Sequence, residues 1–467
     1  MIGLTRRELL RAALAAGVGS AGLAACSRSS TGAAEALPEW TPGAPLPWRN
    51  WSGISRCVPR ARLVPADEAE VAALLRAGAG ALRPAGAGHS FSGLVACDES
   101  LLFLDRLQGV VASDPAQSSA EVWTGTRLWQ LGPALAALGQ ALPNQPDIDY
   151  QTLGGALATS THGTGATLGS LSSYVTGLAL VTPGGELLEC DASRNAEVFH
   201  AARASLGALG VVTRVRLQNR EAFRLVERSR FVELESLLAD LPRERDAHPH
   251  FEFYAFPHSD VALAIATDPA DPAGPPQTPA DDDPEAILLL RSLFRFTRAL
   301  PGGGWLYDAF LRRQPETVRS GQSHEVLAHP RTVRFNEMEY TVPAESGPEC
   351  LRAVLAEIRA RDLPVCFPIE CRHVRADDVW LSMFHERPGF SISIHQFADE
   401  DWRSYFAAIE PIFWRYEGRP HWGKLHSLDA PRLARLYARW DDFQRVRRSL
   451  DPGGRLVNAH LAQVLGV

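Results

Sequence analysis

Pro84-Ala85-Gly86-Ala87-Gly88-His89-Ser90 is the stretch on which the reading of this chain turns. It follows Leu82-Arg83, a short strand-like start, and its glycines let successive backbone N–H groups approach an anion with no Cβ in the way. By itself such a turn is equally a tight bend carrying a solvated histidine. A second tract narrows the choice: Thr159-Ser160-Thr161-His162-Gly163-Thr164-Gly165, preceded by Thr152-Leu153-Gly154-Gly155-Ala156. Amides and short hydroxyls gathered in one run suit hydrogen bonding along a flat ring system or a diphosphate better than they suit core packing.

Around these tracts the pattern alternates helix and strand. Asp67-Glu68-Ala69-Glu70 offers an N-cap carboxylate with a glutamate three residues on, followed by Val71, Leu74 and Leu75 at helical spacing, with Gly78 as the stop. Strands are expected at 82–85, 101–104 and 211–217, a hairpin at 178–190 around Pro183-Gly184-Gly185, and a helix at 128–138. Pro143 to Asp149 reads as a loop, 154–169 as an unusually small, polar tract, and 268–284, rich in Pro and Asp, as a mobile surface insertion. Beyond it, strands at 365–372 and 390–397 alternate with amphipathic helices at 401–415 and 430–448.

At 467 residues, 45% apolar and 22% charged, the chain is long enough for two domains. A net charge of −7 with both signs interspersed gives no electrostatic footprint for nucleic acid. Seven scattered cysteines without a C-x-x-C exclude a zinc ribbon and a small disulfide scaffold. No metal site is expected, because H-E-x-x-H and comparable ligand spacings are missing from the sequence.

The first 26 residues read as an address: Thr5-Arg6-Arg7-Glu8-Leu9-Leu10, a small-residue apolar run, then Leu23-Ala24-Ala25-Cys26. This resembles a twin-arginine signal ending in a lipobox, which implies export to the cell envelope and a lipid on Cys26 as membrane anchor. The formal G-x-G-x-x-G match at 17–22 follows no strand and falls inside this leader, so it is set aside.

In the C-terminal half, Glu370 and Arg372 stand two apart in a strand-like run and share one sheet face. His395 closes the alternating run Ser391-Ile392-Ser393-Ile394-His395, and Arg419-Pro420-His421-Trp422-Gly423-Lys424 packs a histidine, a tryptophan and a lysine into one short box.

Taken together, the two N-terminal tracts and this box resemble the vanillyl-alcohol-oxidase family, and within it the aldonolactone and alditol oxidases. The resemblance spans residues 48–465. It implies an α+β fold: a two-part FAD-binding domain of the vanillyl-alcohol-oxidase type, and a cap or substrate domain with a large, mostly antiparallel sheet and flanking helices. The implied divisions are leader 1–26, tether 27–47, FAD-binding domain 48–220, substrate domain 221–415, and a segment 416–467 returning to the FAD-binding domain. His89 is implied as the covalent attachment point for FAD. The absence of a cysteine between Thr152 and Gly165 implies a single link. Pro84 to Ser90 would wrap the diphosphate; Ala156, Thr161, Thr164, Leu168, Gly169, Ser170 and Leu171 would lie along the flavin and its ribityl chain, and Val212 near the adenine. Ala156 stands where the alditol oxidases have a serine that contacts substrate.

Glu370, Arg372 and His395 fall on the family's substrate contacts, and His421 and Lys424 on its flavin contacts. A fixed ammonium at Lys424 would stabilise charge gained by the flavin on hydride transfer. The implied activity is oxidation of a CH–OH group of a sugar-like substrate, a polyol or aldonolactone, with oxygen as acceptor giving peroxide. A dehydrogenase using a quinone or cytochrome, and a sugar-binding lipoprotein without turnover, are the rival readings. Glu370, His395 and His421 are all candidates for the group that takes the hydroxyl proton.

Overall fold

The computed structural model describes residues 46–78, 80–277 and 286–467. The leader, Cys26 and nearly all of the tether lie outside the described residues, as does the second half of the Pro/Asp-rich stretch.

The N-terminal half is built from two small sheets. Ala61–Leu63, Ser100–Phe103 and Leu82–Ala85 form a parallel three-stranded sheet, with Ser100–Phe103 in the middle. The helix Glu68–Ala77 starts as its sequence requires: Asp67 accepts from Glu70 N at 2.8 Å and Glu70 accepts from Ala66 N at 2.7 Å. Five antiparallel strands make the second sheet, in the order Leu187–Asp191, Val175–Val181, Val211–Gln218, Ser119–Trp123, Val110–Asp114.

The substrate half is an eight-stranded antiparallel sheet, ordered Thr317–Gln322, Arg224–Glu233, Val261–Pro269, His250–Ala255, Ile369–Val374, Gly389–Phe397, Phe335–Pro343, Arg419–Pro420. Side chains alternate across it with period two. Phe253, Cys371, Ile392 and Met338 go down into a core shared with Leu237, Val354, Ile358 and Phe413 of the helices Leu234–Ala247, Gly347–Ala360 and Trp402–Arg415. The alternate positions carry Glu252, Tyr254, Glu370, Arg372, Ser393, His395, Glu337 and Glu339. The register sets Tyr254 beside Glu370, Glu252 beside Arg372, Glu370 beside Ser393, and Glu337 beside His395. One face of the sheet is therefore oil and the other is a buried array of charge.

After the sheet the chain returns to the first domain, where Leu82 N donates to Arg455 O at 3.0 Å and Asn458 Nδ2 donates to Gly93 O at 2.8 Å. Within the small, polar tract Leu153–Ala158 is a helix capped by the Thr152 hydroxyl, because burial of Leu153, Ala156 and Leu157 outweighs the poor propensity of two glycines. Three local expectations are corrected. The strand expected from 365 begins at Ile369, since Pro364 and Pro368 bracket residues 365–367. The helix expected over 430–448 is two, Ala430–Leu436 and Trp440–Leu450, interrupted where Tyr437 turns inward to stack on Trp422 at 5.0 Å. Asp268 and Pro269, expected in a mobile insertion, finish the Val261–Pro269 strand opposite Val226 and Leu225. All six cysteines among the described residues are buried and unpaired.

Candidate functional site

A partly open cleft runs along the strip Pro84 to Ser90 and past Val212. Seven glycines are among the residues that line it, and three of them have a steric reason. A Cβ on Gly86 would sit 2.3 Å from Thr152 Oγ1, and Gly88 (φ +73°) and Gly207 (φ +67°) hold a left-handed backbone that suits glycine. Arg83, buried beneath the strip, ties it together by donating to Leu94 O at 2.8 Å, Leu206 O at 2.6 Å and Gly207 O at 2.9 Å.

Past His89 and Ser90 the cleft opens into a second hollow, walled by Trp51, Tyr150, Phe91, His421 and Lys424. The His89 ring lies between Trp51 at 5.9 Å and Tyr150 at 6.1 Å. Burial, with Lys424 and Arg127 adding to it, lowers the His89 imidazole to about 4, so it is neutral at ordinary pH. A third hollow continues from Lys424 and His421 onto the charged face of the large sheet, with Tyr254, Glu370, Arg372 and His395 on its floor. Gln151 borders all three hollows, and its Oε1 is buried with no partner. Such an orphaned acceptor, a glycine-rich wall and a neutral histidine where the first two hollows meet together fit a long planar cofactor with a diphosphate tail.

The floor is a network. Arg372 Nη2 donates to Glu370 Oε1 at 2.6 Å, and its Nε lies 3.0 Å from Glu252 Oε2 without the alignment of a hydrogen bond. Tyr254 Oη also donates to Glu370. Burial pushes Glu252 up to about 7, aided by Glu370 and Asp147 and opposed by Arg372. Nearer the cleft, Glu337 holds Lys424 with one oxygen and lies 3.5 Å from His395 Nε2 with the other. Burial would raise Glu337, but Lys424 and His395 outweigh it and hold the carboxyl down at about 2. Glu339 pairs with His162 Nε2 at 2.7 Å, and His162 and His421 overcome burial to hold it well below the usual carboxylate range. His421, lowered to about 4 chiefly by burial, accepts from Gly423 N at 3.0 Å on Nδ1. Two triads, His162–Glu339–His421 and Glu337–Glu370–His395, have ligand atoms within 4.8 Å of one another, but the charges in each are already met by hydrogen bonds or by Lys424.

Pro84, Ala85, Gly86, Ala87, Gly88, His89, Ser90 and Val212 line the first hollow, and Thr161, Glu370, Arg372, His395, His421 and Lys424 the third. The others expected along the flavin lie elsewhere. Ala156 is fully buried in the hydrophobic core, on the inner side of its short helix. Thr164 donates to Phe251 O at 2.8 Å and borders a separate small cavity. Residues 168–171 lie against the loop after Val374: Leu168 O accepts from Arg375 N, Ser170 donates to Asp377, Gly169 N donates to the Tyr174 hydroxyl, and the Leu171 side chain is in the core. None of these residues lines the three hollows.

Missed by the sequence reading were Trp51, Gln151, Glu252, Tyr254, Glu337 and Glu339. Their signal was present in Asn336-Glu337-Met338-Glu339-Tyr340 and His250-Phe251-Glu252-Phe253-Tyr254, where polar groups alternate with apolar ones in buried strands.

A glycine-rich cleft leading onto a buried, charged floor is the arrangement of a nucleotide-cofactor oxidoreductase of the FAD-binding type. Residues 59–191 match the FAD binding domain family, and residues 215–464, more than half of the chain, match the D-arabinono-1,4-lactone oxidase family. The chain belongs to the D-arabinono-1,4-lactone oxidase family. It is 37% identical to an L-gulono-1,4-lactone dehydrogenase of Mycobacterium tuberculosis, over 90% of this chain and 99% of that one. It is 31% identical to the L-gulonolactone oxidase of Bos taurus (89% and 98%), and 28% identical to an alditol oxidase of a Streptomyces species (89% and 98%). Among solved structures a solvent-stable cholesterol oxidase superposes with a TM-score of 0.73 at 20% identity, covering 91% of this chain and 98% of that one. The fold is accordingly the vanillyl-alcohol-oxidase type expected, with mixed helices and a large antiparallel sheet.

Proposed function

We propose that this chain oxidises a CH–OH group of an aldonolactone or alditol, with FAD carried covalently on His89. The observation that carries the reading is the continuity of the three hollows, which puts the Gly-rich cleft, His89, Lys424 and the Glu370–Arg372 floor along one path. FAD, once bound, supplies the acceptor for the hydride. A neutral imidazole at the bend is the form in which His89 is nucleophilic enough to become attached. Lys424, fixed by Glu337, favours negative charge arising beside it.

Glu370 and Arg372 orient the substrate: Tyr254 and Glu252 hold both ends of the pair, so a carboxylate acceptor and guanidinium donors face the hollow in a set geometry. Tautomers decide among the proton acceptors. His421 has its Nδ1 lone pair occupied by Gly423 N, so in the neutral ring Nε2 bears the proton and donates. His395 is the reverse: Nδ1 lies 3.3 Å from Pro368 O, a group that only accepts, which leaves Nε2 free to take the hydroxyl proton with Glu337 beside it. His395 is therefore the base in this reading, with Glu370 a substrate anchor.

The proposed acceptor is oxygen. The name of the 37% identical relative, a dehydrogenase, favours a second reading with another electron acceptor. Outside the described residues, the leader is read as an export address with a lipid on Cys26, to be checked by mass spectrometry of the membrane fraction.

The test is acid denaturation of purified protein and of His89→Ala, followed by turnover with L-gulono-1,4-lactone, D-arabinono-1,4-lactone and an alditol. Flavin absorbance should precipitate with wild type only, and turnover should give peroxide in air. Turnover that reduces a quinone but not oxygen selects the dehydrogenase. Folded protein with no flavin sinks the oxidoreductase reading.

A further inference from the structure

The helices Ala286–Arg298 and Gly304–Arg312 bury one side and leave the other bare. Phe294, Thr297, Tyr307 and Leu311 go inward, with the Phe294 and Tyr307 rings edge to face at 5.6 Å over Phe256, Val261 and Phe397. Outward, Leu288 is 37% exposed, Phe296 38%, Leu300 38% and Trp305 67%. On the first helix, positions 288, 292, 295–296 and 299 form a single stripe by their spacing of three and four. Gly303 N then donates to Leu300 O at 3.0 Å, closing a turn that delivers Trp305 in the first turn of the second helix. Elsewhere among the described residues, exposed large apolar side chains are spread along the chain; here four fall between 288 and 305, and two of them are aromatic.

The charge on this segment runs against that of the whole. Residues 286–316 hold five arginines and two acids, a net of +3, in a chain of net −7. Arg295, Arg298, Arg312 and Arg313 are exposed around the bare face. The first three pair with Glu400, Asp362 and Asp308, pairs at the surface that are weak and readily exchanged. The acids Asp281, Asp282, Asp283 and Glu285 precede the helix in sequence.

We propose that this helical hairpin docks on an anionic lipid surface, with Phe296, Leu300 and Trp305 entering the headgroup boundary and the arginines pairing with lipid phosphates. The composition is that of an element which lies in a membrane interface: an apolar edge, an indole that prefers the boundary, and arginines whose stems cover apolar surface while their heads stay wet. No helix among the described residues is long and apolar enough to cross a membrane, so the contact is one of lying on the surface. This inference stands independently of the proposed oxidation.

The test uses the full chain with Cys26→Ser, which keeps acyl groups off, and an environment-sensitive fluorophore on Leu300→Cys. The described native cysteines are all buried, and Val111→Cys, on a strand of the other domain, serves as control. On vesicles of phosphatidylcholine and phosphatidylglycerol, emission at position 300 should shift blue while that at 111 does not. The triple substitution F296S/L300S/W305S should lower vesicle partitioning by about tenfold or more at unchanged thermal midpoint. A label at 300 that stays in water, or a triple variant that partitions like wild type, overturns the proposal. Equal partitioning into pure phosphatidylcholine overturns the pairing of the arginines with anionic headgroups.

Discussion

Glu337→Gln isolates the joint between the two ends of the site. The carboxylate is buried, holds Lys424 with one oxygen and faces His395 with the other, and is lowered from its ordinary 4.5 to about 2. A depressed folded pKa contributes stability that is present above the unfolded value and is lost as pH falls through the folded one. At 1.36 kcal/mol for each tenfold step the full contribution is about 3 kcal/mol. At pH 3.5 the unfolded carboxyl is mostly protonated and the folded one still ionised, so about 1 kcal/mol of it has gone. The glutamine variant has no such titration. Urea denaturation of both proteins at pH 7 and pH 3.5 should therefore show wild type more stable at pH 7, with its margin narrowed by about 1 kcal/mol at pH 3.5. A margin that is the same at both pH values would refute the Lys424–Glu337–His395 linkage.

Glu252→Gln probes the opposite sign. Glu252 is raised to about 7, so its contribution is present below 4.5 and is lost as pH rises through 7; wild type should lose up to about 3 kcal/mol between pH 4.5 and pH 8.5 that the glutamine variant keeps. Parallel stability curves across that range would refute a Glu252 carboxyl held protonated by burial. Gly86→Ala places a methyl 2.3 Å from Thr152 Oγ1 in the wall of the cleft, and its flavin content, read as the ratio of visible to ultraviolet absorbance, should fall about tenfold. Unchanged flavin in folded Gly86→Ala would show that the cofactor lies elsewhere.

The local elements near the cofactor cleft were legible because their causes are local. Asp67 and Glu70 cap a helix through backbone groups a few residues away, and Gly78 ends it. Gly86 and Gly88 were recognisable because a missing Cβ shows in the sequence. Ala156, Thr164 and residues 168–171 lie outside the three hollows, because contacts across the fold, which no local pattern records, decide which side chains reach a cavity.

By itself, the sequence determined the Gly-rich strip around His89, the Glu370–Arg372 pair on one sheet face and the lysine box, because each rests on spacing along a single segment, and the fold class followed from the family resemblance those segments carry. Only the tertiary structure decided the rest. Strand order and register brought Tyr254 from 116 positions away onto Glu370, and Glu337 between His395 and Lys424. It also decided which carboxyls are driven down and which is driven up, since burial and the nearest opposite charge are properties of three-dimensional neighbours.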